Sequence, residues 1–163
     1  LKMGLNVTEQ ANCQANGFHC AATPMDCLRY YGDFQNSEYY LVRLCGDLDE
    51  DAVDSRISCT QLWVLRKLEP QEFFLHALAY MADHPQMPDG CDVKRERAQA
   101  WNGYAVVRGK HPRAKGKLGD ILAFAREAVN GPKIEHLSLC VIDGKERLPD
   151  TWYDDNFEEC EAV

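Results

Sequence analysis

Phe73, Phe74, Ala77, Leu78 and Met81 stand one, three and four residues apart between Pro70 and Pro85, and only a helix gathers them on one face. Pro70 suits a first turn, where its missing N–H has no partner to lose. His84-Pro85 ends the segment, because the residue before a proline is pushed out of the helical region. The spacing predicts a helix over residues 69–83, and its apolar side needs a covering layer. The preceding sequence supplies strands. Residues 38–45 and 55–68 are rich in β-branched and aromatic types, and they pair antiparallel across an acidic loop at 46–54.

Upstream, Gly17 marks a position of positive φ or close backbone approach. The short apolar run 18–22 suits a strand. Thr23, Pro24 and Asp26 form a helix-start signal: a cap, a proline at the first position, and a carboxylate that favours the dipole. Cys27, Leu28 and Tyr31 form the buried face of that short helix, and Gly32 ends it. Residues 1–15 read as irregular. The chain starts at Leu1, so a trimmed N-terminus and a missing first strand are expected.

Beyond the main helix, residues 84–92 read as a loop and 91–100 as a short charged helix. Runs at 103–109, 119–125 and 134–142 read as strands between glycine-rich turns, although 121–129 equally suits a helix. Asp143-Gly144 is the signal of a two-residue hairpin, and the acidic tail 154–163 reads as loose. The expected class is α+β: a mixed or antiparallel sheet packed on one main helix, then a small β subdomain. The boundaries are a core domain at 1–84, a linker or short helix at 85–102, and a small β subdomain with its acidic tail at 103–163.

With 163 residues, 45% of them apolar and 27% charged, the chain can bury a core. Its net charge of -8 argues against non-specific binding to nucleic acid or membrane surfaces and suits a protein partner with a basic surface. No run approaches membrane-spanning length and no signal peptide is evident. The eight cysteines lack paired C-x-x-C spacing, so a zinc ribbon is not expected. Cys45, Cys59 and Cys140 lie in apolar runs and read as free thiols packed as small hydrophobes.

Asp47, Asp49 and Asp51 alternate as in a calcium loop, but Ala52 stands where glycine is required and Ser58 where a bidentate glutamate is required. With Glu50 they read as a solvated acidic turn that offers a binding surface, and Asp54 and Arg56 read as a local ion pair. No metal is expected. His19 is either a core histidine or a polar group in a cleft. It does not pair with Cys20 as base and nucleophile, since neighbours on a strand face opposite ways. His76 and Tyr80 share an exposed helix face. Lys110, His111, Arg113 and Lys115 form a basic loop, either a solvated turn or a grip for a phosphate or an acidic partner. Hydrolase, phosphate-loop and zinc-protease motifs are absent.

Gly17-Phe18-His19-Cys20, Pro24-Met25-Asp26-Cys27-Leu28, Tyr30-Tyr31, Gly46 and Asp54-Ser55-Arg56 together resemble the signature of an uncharacterised domain found in phage and prophage proteins. The resemblance implies a protein of the bacterial host cytoplasm. It acts by binding a host protein to blunt a defence system in the manner of an anti-CRISPR, or it is a structural domain of a phage protein. No cofactor is expected on this reading. Gly17-Phe18-His19-Cys20-Ala21, Tyr30 and the run 41–47 also loosely resemble the ADP-ribosyltransferase core. That likeness implies bound NAD or another nucleotide, with His19 near the nicotinamide ribose, Tyr30 or Tyr31 stacked on the nicotinamide, and Glu135 as candidate catalytic carboxylate.

Overall fold

The computed structural model describes residues 1–162. The fold is α+β, with most of its regular structure in two sheets. In the first sheet a long central strand, β4 (Arg56–Leu68), pairs antiparallel along its whole length with β3 (Tyr39–Glu50). Its other side carries β1 (Gly4–Val7) and β2 (Phe18–Ala21) in succession, opposite residues 61–64 and 56–59. The first fifteen residues therefore hold a strand, begun at Gly4 with φ +84. Neighbouring polar residues hide it in the sequence, and only Asn6 of its strand residues is buried.

Between β2 and β3 the chain makes a 3-10 turn, Pro24–Asp26, and one helical turn, α1 (Cys27–Tyr30). Thr23 caps neither through its side chain. Leu28 is buried, but Tyr31 lies beyond the helix end and is 66% exposed, contrary to the face expected for it. The acidic run is no loop. Asp47, Asp49 and Glu50 extend β3, and the turn begins only at Asp51. A bulge between Cys45 and Leu48, with Gly46 at φ +76, lets the strand continue past a change of register.

Helix α2 (Pro70–Asp83) starts as its sequence dictates: the Glu69 N–H donates to the Glu72 carboxylate at 2.9 Å, closing a capping box. Phe73, Phe74, Ala77, Leu78 and Met81 are all buried. They pack against β7 (Ile121–Glu127), β8 (Ile134–Val141), the 3-10 turn and β4. His84 caps the helix end, and its ring stacks on that of Tyr80 at 4.1 Å.

The second sheet runs in the order β5 (Val93–Gln99), β6 (Tyr104–Lys115), β7 and β8, with β9 (Tyr153–Asp154) also on β6. The segment expected as a charged helix is β5 (Val93–Gln99), an edge strand whose exposed charges discourage further pairing. Only Val93 and Ala98 of it are buried, because Glu96, at φ 62, turns a corner between them. Opposite that corner β6 (Tyr104–Lys115) bends. Residues up to Arg108 pair in parallel with Val93 to Arg95, and residues from Arg113 pair with Arg97 to Gln99. The Glu96 carboxylate fills the bend and accepts the N–H groups of Lys110 and His111 at 3.0 and 3.1 Å. Gly109 makes room for it, since a Cβ there would lie 2.5 Å from Glu96 Cδ. The basic segment 110–115 is thus strand and not loop. β5, β6 and β7 stack in parallel without an intervening helix, which is the construction of a β-solenoid coil.

Side chains alternate across this sheet. Val106, Ile121, Ala123 and Ala125 face the cluster around α2, while Ala105, Val107, Leu122 and Phe124 fill a second core inside the coil with Ala114, Ile142 and Tyr153. Asp143 does not start a hairpin. Its Oδ1 accepts the N–H groups of Lys145, Glu146 and Arg147 at 2.8 to 3.0 Å, and the chain returns through β9 to β6, not to β8. Over its described residues, 154–162, the acidic tail is held in the fold: Asp155 is buried, and the Cys160 N–H reaches the Trp152 carbonyl at 3.0 Å; Val163 lies outside the described residues.

Candidate functional site

The residues that carried the sequence likeness converge where β2 and α1 meet the turn between β3 and β4. Asp26 accepts the Ser55 N–H at 3.0 Å, and Ser55 Oγ accepts the Thr23 N–H at 2.9 Å. The Tyr30 hydroxyl donates to Asp54 Oδ2 at 2.5 Å, while Asp54 Oδ1 takes the Arg56 N–H at 2.9 Å. Arg29 approaches Asp54 at 3.5 Å, Arg56 is ion-paired with Asp51, and the Arg56 guanidinium lies over the Tyr30 ring at 5.1 Å. Asp54 is therefore paired with Tyr30 and Arg29, and the expected Asp54–Arg56 contact is a main-chain bond, the guanidinium going to Asp51.

Gly17 completes this clamp from the other side. Ser58 Oγ donates to the Asn16 carbonyl at 2.7 Å, and a Cβ on Gly17 would fall 2.1 Å from that oxygen, at a φ of +95. Both the backbone and the contact oppose a side chain. Gly17→Ala is expected to cost about 2 kcal/mol, from left-handed strain plus displacement of Ser58. It should appear as a lower urea midpoint at unchanged slope.

A surface hollow of about 320 Å³ opens beside the clamp, lined by Cys13, His19, Cys20, Cys27, Tyr30, Tyr31 and Arg56 among others. His19 is exposed at its rim, which removes the core-histidine reading. The hydrogen bond to Asp54 raises the Tyr30 phenol above its ordinary pKa, and the same bond holds the Asp54 carboxyl below its own. Burial pushes the Cys20 thiol up to about 12 and the Cys27 thiol up to about 11, so both are protonated at neutral pH. Cys13 is buried, its Sγ donating to the Asp49 carbonyl and its N–H to the Asp49 carboxylate, both at 2.7 Å. Among the described residues all the cysteines are free thiols, although Cys45 is only half-buried and Cys91 is exposed.

The other expected site residues lie apart. Glu135 is exposed on β8, in the second sheet, and does not line the hollow. Asp49 and Asp51 are committed to Cys13 and Arg56, leaving Asp47 and Glu50 exposed on β3. Lys110, His111, Arg113 and Lys115 are on β6 of the second sheet. Among the described residues no group of three or more His, Cys, Asp or Glu side chains is arranged to hold a metal ion.

Residues 2–76 match the family model of a domain of unknown function, DUF7666. The match spans the first sheet, the clamp and the first half of α2, and it stops before the solenoid coil. No curated protein and no solved structure matches the chain. Among the described residues no helix is long and apolar enough to cross a membrane.

Sequence reasoning missed Leu48, 54% exposed near the end of β3, and Val53, 81% exposed in the turn between β3 and β4. The signal was available: both are apolar residues inside an acidic run that has no core to enter. It also missed Cys13 and Arg56 as lining residues of the hollow. Arg56 is distant from His19 in sequence and is brought there by the pairing of β2 with β4, while Cys13 is held there by its hydrogen bonds to Asp49.

Proposed function

We propose that the chain acts by binding a protein with a basic surface through the end of the β3–β4 hairpin. The observation that carries this reading is the pair of exposed apolar side chains, Leu48 and Val53, flanked by the exposed carboxylates of Asp47 and Glu50. Apolar anchors inside a charged rim are the usual anatomy of a protein contact. The clamp beneath holds Asp51 and Asp54 rigidly, so the tip is pre-organised and loses little freedom on binding. The carboxylates speed the encounter and set its salt dependence more than they add affinity. The likeness to phage and prophage sequences supplies the setting: a host protein of the bacterial cytoplasm, with a defence component as the natural target.

The test is retention of a single stoichiometric protein from a bacterial lysate on the immobilised chain. Leu48→Asp with Val53→Asp is expected to weaken the purified pair at least about tenfold. Asp47→Lys with Glu50→Lys is expected to slow association and remove its salt dependence. If both doubles bind as the parent does, the hairpin end is not the contact.

A second reading, an ADP-ribosyltransferase-like NAD site, is favoured by one observation, the presence of His19, Tyr30 and Tyr31 around one hollow. Against it stand the tie between Tyr30 and Asp54 and the position of Glu135. Transfer of label from NAD to a lysate protein, lost in His19→Ala, decides for that reading. Absence of transfer alongside a retained partner decides for binding.

A further inference from the structure

A cleft of about 390 Å³ opens where the turn before α1 faces the end of α2 and the loop that follows it. It lies along the seam between the residues that match the family model and the coil, and small ligands favour clefts of this size at such seams. Met25, Met81 and Val93 line it and are all buried, so its floor is apolar. Both walls are held by bonds already described. The clamp ties Thr23 and Asp26 to Ser55 on one side. On the other, Asp89 accepts from the buried Arg108 at 2.9 Å. The cleft therefore exists before any ligand arrives, and little ordering is lost on binding.

Two charged groups of the lining have capacity to spare. Asp26 takes the Ser55 N–H on Oδ2 alone, and among the described residues nothing donates to its Oδ1. That oxygen faces Gly90 across the cleft: it is the one atom within 4 Å of a Cβ built on Gly90, at 4.0 Å. Arg29 stands three residues after Asp26, on the same side of the turn. Its Nη1 lies 3.5 Å from Asp54, and among the described residues no other carboxylate is within ion-pairing distance of it, Asp26 included. The remaining charges of the lining are already matched. Asp54 is taken by Tyr30 and the Arg56 N–H, and Asp89 and Arg108 by one another and by their neighbours. A carboxylate without a cation thus stands beside a cation with unused donors, over an apolar floor.

We infer that this cleft binds a free α-amino acid with an apolar side chain, its ammonium on Asp26 Oδ1, its carboxylate on Arg29 and its side chain along Met25 and Met81. The charges decide the class. A simple amine leaves Arg29 unmatched, and a simple carboxylic acid leaves Asp26 unmatched. A charged side chain would be desolvated against the methionines with no partner. The guanidinium fork suits a carboxylate, and flexible thioethers adapt to more than one apolar side chain. This inference goes beyond the hairpin-end contact and does not depend on it.

The experiment titrates the full chain with L-leucine and L-methionine by calorimetry, each beside its amide, which lacks the carboxylate, and its N-acetyl derivative, which lacks the ammonium. The free amino acids are expected to bind with a Kd of about 1 mM or tighter, and both derivatives at least about tenfold more weakly. Asp26→Asn keeps the acceptor for Ser55 and removes the charge, and with Arg29→Gln it is expected to show the same loss. Gly90→Leu touches neither charged group. Its side chain enters the cleft with no backbone in the way, so it is expected to abolish binding while the urea midpoint stays that of the parent. Thermal stabilisation by the same ligands is the second readout, for binding that releases little heat. Neither heat nor stabilisation at about 10 mM ligand with the folded parent overturns the site. So does binding that survives Gly90→Leu. Equal binding of the amide and the N-acetyl derivative marks a merely apolar slot and overturns the amino-acid assignment.

Discussion

Phe74→Ala is expected to lower stability by about 4 kcal/mol, the largest loss of any single truncation in this chain. Phe74 is fully buried, and its ring is packed on several sides: Phe34 at 4.8 Å, Tyr104 at 5.0 Å and Phe73 at 5.2 Å. Those partners come from different places: Phe34 from the segment before β3, Tyr104 from the start of β6, and Phe73 from the same helix. The ring therefore joins the clamp-bearing half of the molecule to the coil. Removing it leaves a cavity that the surrounding aromatics close only in part, because each is fixed by its own neighbours. Phe74→Leu keeps most of the volume and is expected to lose about half as much. Urea unfolding measures both. If Phe74→Ala shifts the midpoint by no more than an exposed helix substitution such as Leu75→Ala, the site collapses freely and the joining role is wrong.

The sequence made α2 plain because a helix that buries one face against a sheet keeps its period of 3.6 undiluted. β3 and β4 were plain for a similar reason, though their junction was not: acidic residues suggested a loop, and the glycine bulge that carries the strand through them leaves no periodic mark. The coil was obscured by its own burial. β7 is covered by α2 on one side and by the coil's core on the other, so Ile121 to Ala125 are all buried and the alternation that would announce a strand is lost. Such a run reads equally well as helix. β5 failed in the opposite way, since an edge strand with a corner at Glu96 buries only Val93 and Ala98. A weak internal repeat was present, Arg97-Ala98 echoed by Arg113-Ala114, and the two stack in register. The clamp was half legible. Asp26, Tyr30 and Asp54-Ser55-Arg56 were recognisable as a set, but that they bond one another required β2 to be placed beside β4.

Glu127→Gln is expected to cost about 3 kcal/mol and to flatten the acid limb of the stability profile. Glu127 is buried at the end of β7 and takes hydrogen bonds from Arg95 at 2.9 and 2.5 Å and from Arg108 Nε at 2.7 Å. Arg108 is itself buried, and its other nitrogens reach Asp89 at 2.9 Å and the carbonyls of Pro85 and Pro132 at 2.6 and 3.2 Å. The network thus ties the loop after α2 to the far end of the coil. Glutamine keeps the shape but removes the charge, leaving a buried guanidinium short of compensation, and breaking a buried pair from one side costs about 3 to 5 kcal/mol. The lower end applies because Asp89 remains and Arg95 is half-exposed. The pair of arginines, Arg95 first, holds the Glu127 carboxyl below its ordinary pKa in spite of its burial. A carboxyl depressed in the folded state stabilises fully above its unfolded pKa of about 4.3, and that contribution is lost as pH falls through the folded value. Wild type should therefore lose stability steeply below about pH 4.3 relative to Glu127→Gln, and the two curves should converge in acid. A double variant, Glu127→Met with Arg108→Met, removes both buried charges at once and is expected to recover part of the loss at pH 7. Parallel curves for wild type and Glu127→Gln from pH 7 to pH 3 would show that this carboxylate does not carry the acid sensitivity.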